Sequence, residues 1–193
     1  WPMTVNLGLR VSGKTLGLVG SGRIAQAVAA RAAGFGMSLL YTARHRNENF
    51  EASTGARYVS KDDLLRLSDF VSLHMPLTLE TEKYIGSREL ELMQPHAILI
   101  NTARGKVVDE AALASALKNG VIAGAGLDVF ENEPLVLPVL CDLPNVLMTP
   151  HKGAATMDGF RNMGRSSAEK IFAALDGKLP ANCLNPEARQ VSN

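Results

Sequence analysis

The chain has 193 residues, enough to bury one hydrophobic core and part of a second. Apolar residues make up 46% of it and charged residues 20%, with a net charge of +1. This composition is typical of a globular protein and excludes a charge-driven nucleic-acid or membrane partner. The two cysteines, Cys141 and Cys183, are too few for a disulfide framework and fit a reducing compartment, so we expect a cytoplasmic protein without a metal site.

The chain begins its regular structure with a strand, a glycine turn and a helix. Thr15–Val19 is a short apolar run, and a G-x-G-x-x-A sequence that ends at Ala25 follows it directly. This is the dinucleotide-binding fingerprint, in which the helix N-terminus binds a pyrophosphate. An ordinary tight turn is the alternative interpretation. The residues that we assign to a cofactor site here are Gly20, Ser21, Gly22, Arg23 and Ile24.

Strands and helices alternate along the rest of the chain. Apolar runs predict strands at Met37–Tyr41, Phe70–Met75, Ala97–Asn101, Ile122–Asp128 and Val146–Thr149. Helices are predicted from Ser60 to about Asp69, after a Ser87 cap over Arg88–Met93, after an Asp109 cap over Glu110–Asn119, and between Ala155 and Asp176. This alternation predicts an α/β fold with a doubly wound parallel sheet of the Rossmann type. Its ligand crevice should lie at the carboxyl ends of the strands.

The second predicted strand is followed by a basic loop. Enzymes that use NAD usually carry Asp or Glu about 20 residues after the glycines, bonded to the ribose. Here the corresponding segment holds Thr42, Arg44, His45 and Arg46, with no acidic residue beside them. Because a guanidinium can bind a 2′-phosphate through two hydrogen bonds, we predict a pocket for NADP(H), with NAD(H) as the alternative cofactor. A solvated basic loop is the other interpretation.

Three further strand ends supply a candidate catalytic set. Arg104, Glu133 and His151 each follow a different predicted strand, so they should converge on one crevice. Arginine binds an anionic substrate, histidine exchanges a proton near neutral pH, and a neighbouring carboxylate favours the charged ring. Reduction of a 2-keto acid by a nicotinamide needs this set, although each residue alone is also typical of a surface ion pair. His74 is either a ligand contact or a structural histidine.

A series of motifs resembles the D-isomer-specific 2-hydroxyacid dehydrogenases, from about Leu9 to Pro186. The motifs are Gly17–Ile24, Val71–Thr78, Ile100–Gly105, Gly126–Pro134 and Thr149–His151. The resemblance implies catalytic roles for Arg104, Glu133 and His151. Glu133 is chosen over Glu131 because it directly precedes Pro134. The further cofactor contacts that we assign are His74, Pro76, Thr81, Thr102, Ala103, Arg104, Asp128, His151 and Gly153.

Within that family, Tyr41–Arg44 is similar to the NADP-using glyoxylate and hydroxypyruvate reductases. The resemblance implies reduction of a small 2-keto acid to the D-2-hydroxy acid with NADPH, and a homodimer formed through the cofactor domain. Two alternatives stay open. One is an NAD-dependent 2-hydroxyacid dehydrogenase, and the other is a dinucleotide-sensing corepressor built on the same fold.

The resemblance also implies a division into domains. Residues 1–153 correspond to the cofactor domain, and residues 154–193 to a helix and tail that return to a substrate domain. Family members carry most of that substrate domain ahead of the position of Trp1, so we expect it to be absent here. Two positions depart from the family pattern: Ala25 replaces the third glycine, and Lys152 follows His151, facing either the cleft or solvent.

Overall fold

A computed structural model describes residues 8–180 and 183–187. Seven parallel strands form one sheet in the order β3-β2-β1-β4-β5-β6-β7. The strands are β1 (Thr15–Val19), β2 (Ser38–Thr42), β3 (Arg57–Tyr58), β4 (Phe70–Leu73), β5 (Ile98–Asn101), β6 (Gly124–Leu127) and β7 (Val146–Met148). The strand order reverses between β1 and β4, which is the switch point where doubly wound sheets bind ligands. The predicted fold class is confirmed.

Helices connect the strands, and most begin at a polar cap. The helices are α1 (Arg23–Ala32), α2 (Glu48–Thr54), α3 (Lys61–Leu67), α4 (Ser87–Leu92), α5 (Glu110–Lys118), α6 (Pro138–Cys141) and α7 (Met157–Leu175). The predicted caps Ser60 and Asp109 accept backbone N–H groups at 3.1 and 3.0 Å. The prediction that Ser87 caps α4 is wrong. The N-cap is Gly86, one residue earlier, which has no side chain to cap the helix, and the Glu89 carboxylate accepts the Gly86 N–H at 3.1 Å.

The sequence analysis missed α2 and the short edge strand β3. Asn47 caps α2 by accepting the Phe50 N–H at 3.0 Å. Phe50 is the one buried residue of that helix, so no apolar period marks it in the sequence. Strand β3 has two exposed residues and pairs only with β2, which leaves little apolar signal.

Buried aliphatic side chains hold the sheet between its helices. Leu18, Leu73 and Leu99, on the three central strands, are fully buried. Burying one such side chain contributes about 1.5–3 kcal/mol. Close-packed protein cores are rigid, so the carboxyl ends of the strands are fixed relative to one another.

The described residues from Lys152 onward form a second compact unit. Its helix α7 begins after Thr156, whose hydroxyl accepts the Gly159 N–H at 2.9 Å. None of the residues of α7, all of which the structure describes, is buried. Its exposed apolar residues are Met157, Phe160, Met163, Ile171, Phe172 and Leu175. Within residues 8–180 and 183–187, no helix combines the length and apolar character that crossing a membrane requires.

Candidate active site

The glycine turn joins the carboxyl ends of three strands. Gly20 has a φ of 111°, and a Cβ there would lie 2.7 Å from the carbonyl oxygen of His74 at the end of β4. Its N–H donates to the carbonyl of Thr42, the last residue of β2, at 2.8 Å. Only glycine fits both the left-handed backbone and this close approach. The turn is therefore built into the switch point of the sheet.

The N-terminus of α1 is open to a ligand. Its N-cap is Gly22, which no side chain of the described residues caps, and the first turn contains no acidic residue. A Cβ at Gly22 would meet nothing within 4 Å, and Ile24 is 65% exposed one residue into the helix. Helix N-terminal N–H groups with open space in front of them suit a phosphate. These residues fit the pyrophosphate of a dinucleotide.

The basic loop after β2 lines a cleft of about 620 Å³ beside the glycine turn. Arg46 donates two hydrogen bonds of 2.8 Å to the Glu51 carboxylate, and Arg44 Nη2 lies 3.5 Å from the Glu80 carboxylate. The hydrogen bond from Arg46, followed by that from Tyr41, lowers the pKa of Glu51 to about 2. The residues that line the cleft are Ser21, Ala43, Arg44, His45, Arg46, Asn47, Glu48 and Asn49. Both arginines predicted to select the cofactor thus line this cleft, and each has a carboxylate partner.

A hydrogen-bond network gives this loop a defined shape. The Tyr41 hydroxyl accepts the Asn47 N–H at 2.8 Å and donates to Glu51 at 2.7 Å. The Asn47 side-chain amide donates to the Ser21 hydroxyl at 3.3 Å. The loop is therefore tied both to its own strand and to the glycine turn. The sequence analysis did not detect Glu51, because only the fold brings it onto Arg46.

His74, at the end of β4, lies between the glycine turn and the next loop. Its Nε2 is 2.9 Å from the Ser72 hydroxyl. Burial lowers the pKa of His74 to about 4, so the ring is neutral at pH 7. It lines a cleft of about 540 Å³ together with Ile24, Leu73, Met75, Pro76, Leu77, Thr102, Ala103 and Arg104. Thr81 donates to the Pro76 carbonyl at 2.7 Å and accepts the Thr78 N–H at 2.7 Å, which fixes the loop on one side of this cleft.

Asn101, the last residue of β5, shapes the loop that presents Arg104. Its side chain is buried, its Oδ1 accepts the Ala103 N–H at 3.1 Å, and its Nδ2 donates to the Arg104 carbonyl at 2.9 Å. The Arg104 side chain is exposed and donates to the Ala103 carbonyl at 2.6 Å. The sequence analysis missed this role of Asn101. The available signal was a polar residue at the end of an otherwise apolar strand.

His151 is held against the end of β6. Its N–H donates to the Asp128 carbonyl at 2.9 Å, and Thr149 donates its hydroxyl to the Asp128 carboxylate at 2.5 Å. His151 has a φ of 52°, a left-handed conformation that is uncommon for residues other than glycine. Backbone strain of this kind persists where the surroundings over-determine it. The buried Asp128 is thus part of the support of His151.

Glu133 and His151 form a hydrogen-bonded pair. His151 Nδ1 lies 2.8 Å from Glu133 Oε2, and Glu133 Oε1 accepts the Phe130 N–H at 3.0 Å. The hydrogen bonds from His151 and Phe130, aided by the charge of Arg104, lower the pKa of Glu133. An ionised carboxylate can only accept hydrogen bonds, so Nδ1 carries the proton and Nε2 is the ring nitrogen left for proton exchange.

The three residues of the candidate catalytic set line one cleft of about 630 Å³. The lining residues are Leu77, Arg104, Gly105, Lys106, Phe130, Glu131, Asn132, Glu133 and His151.

Lys152 and Gly153 belong to the second compact unit, and the cofactor contact assigned to Gly153 stays a prediction. In the part of the chain that the structure describes, no His, Cys, Asp and Glu side chains group as metal ligands.

Comparison with known proteins decides the family. The sequence profile of the D-isomer specific 2-hydroxyacid dehydrogenases, NAD binding domain, matches residues 1–153. The chain belongs to this family. The glyoxylate reductase of Thermococcus litoralis is 51% identical over 187 residues, which are 97% of this chain and 56% of that protein. The glyoxylate/hydroxypyruvate reductase B of Enterobacter agglomerans is 49% identical over 182 residues, 93% of this chain and 56% of that protein.

The family fold is also seen among solved structures. The TT0316 protein from Thermus thermophilus superposes with a TM-score of 0.89 and 44% identity, over 95% of this chain and 58% of that chain. The chain spans little more than half the length of the curated relatives it matches. Its similarity to glyoxylate reductases confirms the predicted glyoxylate reductase branch of the family, and the preference for NADP stays a prediction.

Proposed function

We propose that the protein carrying this chain reduces a small 2-keto acid, such as glyoxylate or hydroxypyruvate, to the D-2-hydroxy acid. NADPH is the preferred hydride donor and NADH the weaker one. The observation that carries this proposal is the common cleft of Arg104, Glu133 and His151, with the 2.8 Å bond between the last two. The similarity to glyoxylate reductases supports the choice of substrate class.

The residues of the cleft divide the reaction between them. Bound NADPH supplies a hydride to the carbonyl carbon of the substrate. The Arg104 guanidinium binds the substrate carboxylate and polarises the carbonyl. His151 donates the proton of Nε2 to the carbonyl oxygen, and Glu133 stabilises the charged ring before that transfer. The neutral ring then regains a proton from solvent, which restores the starting state.

The glycine turn and the two neighbouring clefts hold the cofactor in this proposal. The N–H groups at the start of α1, after Gly22, bind the pyrophosphate. His74, Pro76, Thr102 and Ala103 line the cleft next to Arg104 and would hold the nicotinamide half of the cofactor. Asp128, whose carbonyl accepts the His151 N–H, would contact the nicotinamide amide.

The preference for NADPH rests on the basic loop after β2. Arg44 and its partner Glu80 are 69% and 77% exposed and 3.5 Å apart. An exposed pair of this kind contributes about 0–1 kcal/mol, so a doubly charged phosphate displaces Glu80 at little cost. Arg46 is held more firmly by Glu51 and supplies a fixed positive charge beside the site. We further propose that two copies associate through the cofactor domain, as the family resemblance implies.

Calorimetric titration of the chain with NADPH and NADH at one salt concentration tests the cofactor site. We expect NADPH to bind at least tenfold more tightly, a difference of about 1.4 kcal/mol. Equal affinities would contradict the assignment of Arg44 and Arg46 to a 2′-phosphate pocket. If the chain melts cooperatively in circular dichroism but binds neither cofactor, the assignment of a dinucleotide site is wrong. Assays of glyoxylate and hydroxypyruvate reduction by the full-length protein then test the substrate class.

A further inference from the structure

Glu110, the first residue of α5, is a buried carboxylate bonded to a loop 21 residues away. Its Oε1 accepts the Glu131 N–H at 2.6 Å, and Glu131 Oε1 accepts the Glu110 N–H at 2.9 Å. Glu110 is only 6% exposed. The two glutamates therefore form a reciprocal clamp in which each side chain satisfies the backbone of the other.

This clamp holds the segment that bears Glu133. Within residues 130–133, Glu133 accepts the Phe130 N–H at 3.0 Å and binds His151 at 2.8 Å. Glu110 accepts the N–H of Glu131, the residue that follows Phe130. The Glu133 carboxylate inside the segment and the Glu110 carboxylate outside it therefore fix its backbone together. A change at Glu110 would therefore reach His151 through the backbone of this segment and the Glu133 side chain.

The same segment lies against the loop of Arg104. A Cβ on Gly105 would overlap the Phe130 carbonyl group, so these two backbones are in direct contact. Gly105 directly follows Arg104, and the chain then leads through a short 3-10 turn to α5. The clamp thus connects the strand end that carries Arg104 to the loop that carries Glu133.

The placement of Glu110 has an energetic cost. Burial raises its pKa, and the charges of Glu131 and Glu133 raise it further, while the hydrogen bond from Glu131 lowers it. The titratable groups around it are Glu133 and, lining a cavity of about 450 Å³ together with Glu110, Lys83, Asp109 and Glu131. Burying an apolar side chain at this position would cost less free energy than burying a carboxylate. The hydrogen bond that Glu110 accepts from the Glu131 N–H explains why a carboxylate is found here.

We propose that Glu110 is a positioning residue that sets the Glu133–His151 pair against Arg104 through its bond to the Glu131 backbone. This inference rests on the proposed function. Glu110 lies outside the reacting atoms, and its effect on the reaction passes through Glu133. Loss of its bond should therefore change the rate of the chemical step and leave cofactor binding unchanged.

Three variants of the full-length protein test this inference. We expect Glu110→Ala to lower kcat roughly tenfold to a hundredfold, as misplacement of a catalytic group does, with an NADPH dissociation constant within about twofold of the wild type. Glu110→Gln keeps an oxygen for the Glu131 N–H and should restore most of kcat. The exposed Glu91→Ala, on α4, serves as a matched control and should change neither value.

A second readout separates this inference from the proposed function. In protein with isotope-labelled histidine, the resonance of the His151 Nδ1 proton reports the hydrogen bond to Glu133, and it should shift in Glu110→Ala and stay unchanged in Glu91→Ala. If Glu110→Ala does not fold, Glu110→Met fills a similar volume, and the same two changes are expected. Unchanged kcat and an unchanged His151 resonance would overturn the inference, as would a Gln variant no better than Ala. If the wild type reduces no 2-keto acid, the proposed function fails, and the His151 resonance still decides the role of Glu110.

Discussion

His151 Nδ1 lies 2.8 Å from Glu133 Oε2, and the other oxygen of that carboxylate accepts the Phe130 N–H at 3.0 Å. The carboxylate is thus fixed from both sides and in turn fixes the tautomer of the ring. Because Glu133 has a lowered pKa, it stays ionised throughout the neutral range and favours a charged His151. This arrangement suits a histidine that donates a proton and then regains it.

Replacing Glu133 by glutamine should slow proton donation. The amide has the same size but no charge, so a positively charged ring loses its compensating partner. We expect Glu133→Gln to lower the kcat of the full-length protein about a hundredfold. An unchanged kcat would show that Glu133 does not act on His151.

Replacing Arg104 by lysine should weaken substrate binding. Lysine keeps the charge but loses the planar fork that binds a carboxylate through two hydrogen bonds. We expect Arg104→Lys to raise the KM for glyoxylate about tenfold or more. Arg66→Lys, an exposed exchange on α3, is the matched control. A KM equal to that of the wild type would contradict the role given to Arg104.

Replacing Arg44 by aspartate should weaken the preference for NADPH over NADH. A carboxylate at this position repels a 2′-phosphate and can accept hydrogen bonds from the ribose of NADH. We expect Arg44→Asp to lower the ratio of NADPH to NADH affinity at least tenfold in calorimetric titrations, about 1.4 kcal/mol. Arg57→Asp, on the exposed edge strand, provides the control. A ratio that does not move would mean that the arginines are only a solvated loop.

Because His74 is buried, we expect the stability of the protein to depend on pH. Its pKa falls from the ordinary 6.5 to about 4 because the folded protein buries the ring. Between these values the unfolded chain binds a proton that the folded chain does not. The contribution of His74 to the free energy of unfolding is therefore at its maximum above pH 6.5. As the pH drops from there towards 4, the free energy of unfolding falls by up to about 1.4 kcal/mol per pH unit.

Denaturant unfolding between pH 4 and pH 6.5 measures this loss. We expect His74→Gln to flatten the curve over that window, since glutamine takes up no proton. A carboxylate with a lowered pKa loses its stabilisation at lower pH. The pKa of Glu51 falls from 4.5 to about 2, so its stabilisation is present above pH 4.5 and is lost as the pH drops from there towards 2. Parallel curves for the wild type and His74→Gln would contradict the burial effect.

The central strands were predictable because their sequence signal is local. The apolar run at Ala97–Asn101 matches β5 at Ile98–Asn101, and Met37–Tyr41 differs from β2 by one residue at each end. Strands covered on both faces are apolar throughout, so they stand out in the sequence without knowledge of their neighbours. The convergence of Arg104, Glu133 and His151 was predictable for a related reason, since the carboxyl ends of parallel strands share one edge.

Contacts between distant parts of the chain were not predictable. Helix α2 buries only Phe50, so its stability comes from its cap and from tertiary packing rather than from a pattern. The bond from Asn101 to the Arg104 loop and the clamp between Glu110 and Glu131 depend on which oxygen faces which N–H. Such geometry follows only from the assembled backbone.

The most direct test of the proposed catalytic set compares the full-length wild type with its His151→Ala variant, using NADPH and glyoxylate. Cofactor binding and glyoxylate reduction are measured on both proteins. We predict that the wild type reduces glyoxylate, and that His151→Ala still binds NADPH but loses at least about a hundredfold in kcat. Equal rates in both proteins would contradict this catalytic set. No reduction by a wild type that binds NADPH would also contradict it and would favour a dinucleotide-sensing role.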